Sequence, residues 1–141
     1  MHARQQIRDA LVGALAGLSV GANIFASRLV PLNESQLPAL LIATESEDIA
    51  GADIGDTLER RLDIVIRIAA RAPDDIDDDL DSIAEEVETR LAGNTLGGLL
   101  SAFYLTSHRV EFEQLDQPVG IAEMRYQAIY YTTAGAPGTV L

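Results

Sequence analysis

Between residues 61 and 71 the chain alternates with a period of two. Leu62, Ile64, Ile66, Ile68 and Ala70 fall on one side, and Arg61, Asp63, Arg67 and Arg71 on the other. That alternation predicts a strand with one packed face and one polar face. The same period recurs in "LTSHRVEFEQ", where Thr106, His108, Val110 and Phe112 share a side. It recurs again in "IAEMRYQAIYYT", which groups Ala122, Met124, Tyr126, Ala128 and Tyr130. The intervening "LDQPVG" predicts a turn, making these two strands a hairpin. Two shorter apolar stretches, "NIFASRLVP" ended by Pro31 and "PALLIAT" at residues 38–44, read as neighbouring strands around the turn-forming "PLNESQLP".

Two other segments carry a helical period. Ile7, Leu11, Ala14, Leu15 and Leu18 predict a helix over residues 3–17, stopped by "GLSVG". Ile76, Leu80, Ile83, Val87 and Leu91 form a second apolar stripe that closes near the helix-ending "AGNTLGG". The order is helix, three strands, helix, two strands, with no internal repeat. It predicts an α+β domain over residues 1–133, with one mixed or mainly antiparallel sheet of four to five strands and both helices on one face. Residues 134–141, "AGAPGTVL", are too rich in Gly, Pro and Ala to predict a regular element and read as a flexible arm. Residues 45–56, "ESEDIAGADIGD", read as a loop too long for a tight hairpin, and loops of that length are often functional.

Charge alters this picture at one place. The chain has 22 acidic residues against ten cations, all arginine, for a net charge of −12. Nine of the acids lie between Asp74 and Glu88 in "APDDIDDDLDSIAEEVE". In composition this imitates a calcium loop, with Asp75, Asp77, Asp79 and Glu86 at ligand positions. Leu80, or Ser82 in the shifted register, then stands where the sharp turn requires glycine. The apolar stripe favours a helix with a solvated acidic face, with Asp74 or Asp75 capping it after Pro73.

Composition also excludes several chemistries. No cysteine is present, which removes disulfides, thiolate metal sites and cysteine nucleophiles. The absence of lysine removes Schiff-base chemistry and the P-loop lysine. The acidic balance disfavours nucleic-acid binding by counterion release. No apolar run approaches the ~18 residues of a membrane span, and an unprocessed soluble chain is expected. His108 is predicted to be a structural, hydrogen-bonded imidazole; no serine sits in a nucleophile elbow beside it. No catalytic constellation emerges, and no enzyme activity, metal site or cofactor is expected.

The segment "NIFASRLVPLNESQLPALLIATESED", with the helices around "QQIRDALVGALAGL" and "DDLDSIAEEVETRL" and the tyrosine-bearing "PVGIAEMRYQAIYYT", resembles the tail terminator proteins of long-tailed bacteriophages, the lambda minor tail protein U type. The resemblance covers nearly the whole chain. Its carriers are Arg28 to Leu32, Leu37 to Ile42, the acidic helix, and Tyr126, Tyr130 and Tyr131. It implies a structural virion protein, assembled in the host cytoplasm, that closes into a homohexameric ring on the head-proximal end of the tail. Such a ring stops tube growth and joins the tail to the head. The implied partners are other copies of the chain, the major tail tube protein and a head–tail connector or stopper; DNA would pass through the ring without specific binding, and no membrane is involved. Acids lining such a channel would repel phosphates. On this reading the candidate assembly residues are Arg28, then Glu47, Asp48, Ile49, Asp53, Ile54 and Asp56 of the long loop, and Arg61 and Arg67 of the polar strand face. Alternatives left open by the residues are a neighbouring tail-completion or head-closure protein, or a small ligand- or divalent-cation-binding α+β module.

Overall fold

The structure is a computed structural model, described here for residues 1–19, 21–26, 36–71, 76–114 and 118–141. Its elements are α1 (Ala3–Leu15), β1 (Asn23–Ala26), β2 (Ala39–Gly51), β3 (Thr57–Arg71), α2 (Ile76–Leu91), β4 (Ala102–Gln114), β5 (Pro118–Thr133) and β6 (Ala136–Val140). The sheet order is β1-β2-β3-β5-β4, with β6 also paired to β5. β1 runs parallel to β2 and every other pair is antiparallel. The α+β class and the mixed sheet follow the pattern read from the sequence. The sheet has six strands, against the four to five expected.

The alternating residues of β3 explain why both helices lie on one side. Leu62, Ile64, Ile66 and Ile68 are buried together with Ile7, Leu11 and Leu15 of α1 and Leu80, Val87 and Leu91 of α2. Each fully buried Leu or Ile contributes roughly 1.5–3 kcal/mol relative to exposure, and this cluster is the continuous core of the described chain. The helical stripe of the acidic segment therefore prevails over its calcium-loop composition. Asp77, Asp78 and Asp79 occupy the first turn of α2, where the macrodipole favours carboxylates. The proposed caps Asp74 and Asp75 lie outside the described residues.

Two glycine positions matter to this packing. Gly93, with φ +66°, ends α2 in the left-handed region, in keeping with the stop chemistry of "AGNTLGG". Gly120 lets α2 approach the sheet: a Cβ there would lie 2.5 Å from Cγ1 of Ile76 and 3.0 Å from Cδ1 of Leu80. The helices are also tied to each other. Arg90 donates to the carbonyls of Ala16 at 2.5 Å and Gly17 at 2.9 Å, capping the C-terminal end of α1, while Glu86 accepts from the Ser19 amide at 3.0 Å. α1 stops at Leu15, two residues short of the periodicity, because Ala16 is extended and Gly17 takes φ +72°.

Three sequence-based expectations are corrected. Residues 45–51 are not loop. β2 continues through Gly51 and β3 begins at Thr57, which leaves only residues 52–56 as the turn of a long hairpin. A register shift between Thr44 and Ser46 hides this, since a bulge changes the side to which following residues point. Second, the C-terminal residues form β6. Val140 pairs with Thr132, the Leu141 amide donates to the Tyr131 carbonyl at 2.9 Å, and Gln6 Nε2 holds the Gly138 carbonyl at 2.8 Å. Backbone pairing and contact with α1 supply what the composition lacks. Third, His108, expected to be a structural, hydrogen-bonded imidazole, is exposed on β4.

Candidate assembly interface

The bulge in β2 places two neighbouring glutamates on opposite faces of the sheet. Glu47, across from Leu62, turns under α1, and its side chain is only 4% exposed. One of its oxygens accepts from Arg60 at 2.8 Å and from Arg4 at 3.1 Å; the other accepts from the Tyr130 hydroxyl. Arg60 also donates Nε to Thr132 at 2.8 Å. Burial raises the Tyr130 phenol far above its ordinary value, and the Glu47 carboxylate that accepts its hydrogen bond adds to the effect. A buried carboxylate is tolerated when it is paired and its lone pairs are filled, and both conditions hold for Glu47.

Glu45 turns the other way, onto the sheet face that neither helix covers. It accepts from Arg125 at 2.9 Å and from Arg67 at 3.4 Å. Glu123 accepts from the same two arginines, at 2.8 Å and 3.2 Å. The four side chains close a self-neutralising ring across β2, β3 and β5. The hydrogen bond from Arg125, reinforced by Arg67, holds the Glu45 carboxyl below its ordinary value. Val65, whose neighbours on this face are Arg67 and Arg125, is fully buried without any helix above it.

Past Glu47 the β2–β3 hairpin leaves the shelter of the helices. Asp48, Ala50, Asp53 and Asp56 are exposed or nearly so, as are Ile49, at 49%, and Ile54, which is fully exposed at the tip. The turn is nevertheless ordered: the Ala52 amide bonds the Thr57 carbonyl at 2.9 Å, and the Ala134 amide bonds the Asp56 carbonyl at 2.7 Å. Large aliphatic side chains held in water by a well-paired hairpin are the feature expected of a contact surface.

The candidate residues thus separate into groups. Asp48, Ile49, Asp53, Ile54 and Asp56 gather on the hairpin, with Arg61 beside them on β3, paired to Glu59 at 2.8 Å. Arg67 belongs to the charge ring on the open sheet face. Glu47 is interior and holds the hairpin root. Arg28, with the rest of the Arg28 to Leu32 segment, lies outside the described residues. Glu45, Glu123, Arg60 and Arg125 had no signal in a single sequence, because their association needs the bulge and the cross-strand register. Among the described residues no cluster of three or more His, Asp or Glu is arranged to hold a metal ion, and no described helix is long and apolar enough to cross a membrane.

Among the described residues the chain is a two-layer α+β domain with both helices on one sheet face and a protruding, apolar-tipped hairpin, the build of a small structural domain. Residues 2–130 match the family of phage minor tail protein U, and the chain belongs to that family. It is therefore a structural protein of the phage tail, carried in the virion. No curated protein matches the sequence. Among solved structures, a chain of the virion of a native gene transfer agent particle is similar at 20% identity, with a TM-score of 0.47, over 91% of this chain and 90% of that one.

Proposed function

We propose that the protein is a tail terminator: copies close into a six-fold ring at the head-proximal end of the tail tube, stop the addition of tube subunits, and present the surface that joins the head connector. Within the tail protein family, the observation that carries this reading is the β2–β3 hairpin. Its exposed Ile49 and Ile54 sit on a rigid ladder beyond the core and have no apolar cover within the described chain. A closed ring is built from heterologous contacts, in which one patch meets a different patch on the next copy. The protruding hairpin and the charged sheet face that neither helix covers are two such unlike patches among the described residues. Repulsion of DNA phosphates by acids turned toward the channel would let the genome pass without adhering.

The test is twofold. Native mass spectrometry of the purified chain, alone and with tube protein, is expected to reveal a hexamer. Electron microscopy of particles lacking the protein is expected to reveal tubes of uncontrolled length without heads. Monomers under all conditions, or normal tails in its absence, would remove the assignment.

A further inference from the structure

Between α2 and the edge strand β4 runs a groove of about 380 Å³, floored by Ala84, Leu105 and Met124 and rimmed by Asp81, Glu85 and Glu88, with His108 at its β4 side. The rim carboxylates have no ion-pair partner among the described residues. The described arginines have their partners elsewhere: Arg4, Arg60, Arg61, Arg67, Arg90 and Arg125 are in ion pairs, Arg109 is in an exposed pair at 3.6 Å, Arg8 bonds Thr44, and Arg71 is also engaged. A second feature lies behind the groove. Tyr126, directly across the ladder from Leu105, is 4% exposed, and its buried hydroxyl has no hydrogen-bond partner among the described residues although it lies within the field of Glu88.

An apolar floor beneath unpaired carboxylates fits a side chain with a long aliphatic stem and a cationic head. We infer that this groove docks an arginine- or lysine-bearing segment of a different tail protein, its cation between Asp81, Glu85 and Glu88 and its stem over Leu105 and Met124. A second copy of this chain, itself carrying a net charge of −12, is the poorer occupant of an acidic groove. β4 is an edge strand along its described length, so an extended partner segment can also pair with its backbone while its side chain enters the groove. The inference concerns a surface distinct from the hairpin and does not depend on ring closure.

The experiment titrates the full chain with argininamide as the probe and follows the His108, Leu105 and Met124 signals by NMR. Saturable shifts confined to the groove are expected. They should weaken at least tenfold in the Asp81→Asn, Glu85→Gln, Glu88→Gln variant and little in Asp77→Asn, Asp78→Asn, Asp79→Asn, which removes equal charge from the first turn of the same helix, outside the groove lining. Equal weakening in both variants would mean plain charge attraction and would overturn the site. So would shifts that never saturate or that map elsewhere. All six substituted residues are exposed, and circular dichroism of each variant checks that the helix is kept.

Discussion

Glu47 and Arg60 are diagonal neighbours on the helix-covered face of β2 and β3, joined at 2.8 Å, with side chains only 4% and 8% exposed. The pair lies where the core ends and the free part of the hairpin begins. Removing one partner leaves the other buried and uncompensated, which typically costs ~3–5 kcal/mol. Glu47→Ala should therefore lower the urea midpoint strongly and strand the Tyr130 hydroxyl as well. The double variant Glu47→Leu, Arg60→Met should recover much of the loss. Equal instability of the single and double variants would show that the charges themselves, and not their pairing, hold the hairpin root.

Gly120 is a point of very close approach between α2 and β5. Gly120→Val would drive a side chain into Ile76 and Leu80. Overpacking of this kind costs about 1–3 kcal/mol. Thermal melting should report the loss, and Ile76→Ala in the same chain should return part of it. A Gly120→Val protein as stable as the parent would mean that α2 is free to lift from the sheet.

Ile49 and Ile54 contribute little to the isolated fold because both remain in water. Ile49→Ser with Ile54→Ser should change unfolding free energy by no more than about 0.5 kcal/mol, as for ordinary surface positions. The same substitutions should reduce ring formation or tube capping at least tenfold, counted by native mass spectrometry and electron microscopy. Unaltered capping would exclude the hairpin from the interface.

Burial, with a smaller contribution from Glu88, pushes the Tyr126 phenol up to about 12. The raised value means that the folded state holds its proton more tightly than the unfolded state. This stability is fully present below the unfolded pKa of ~10 and is lost as pH rises through the folded value, a range worth roughly 2–3 kcal/mol. Denaturation midpoints should fall between about pH 10 and 12. Tyr126→Phe should reduce that slope, the remainder coming from the raised phenol of Tyr130, and an unchanged slope would show that the Tyr126 hydroxyl is not held neutral by the fold.

Features whose residues lie close together along the chain were legible in the sequence. The stripe from Ile76 to Leu91 specified a helix because burying an apolar face stabilises more than the carboxylates of a failed calcium loop could. The alternation in β3 specified which side the helices would cover, and the resemblance carried by the strand and helix segments pointed to the tail protein family. What the sequence could not place was the outer half of β2, beyond the bulge at Thr44 and Ser46. One extra residue there sends Glu45 to the open face and Glu47 into the core, so a segment that looked like an acidic loop is a strand with a buried anchor. β6 likewise depends on partners far away, the end of β5 and the start of α1, which compensate for a composition with no strand preference. Local periodicity thus determined the helices and the core face, and the resemblance pointed to the family. Register and long-range pairing, which exist only once the sheet is assembled, decided the hairpin, the charge ring and the groove beside α2.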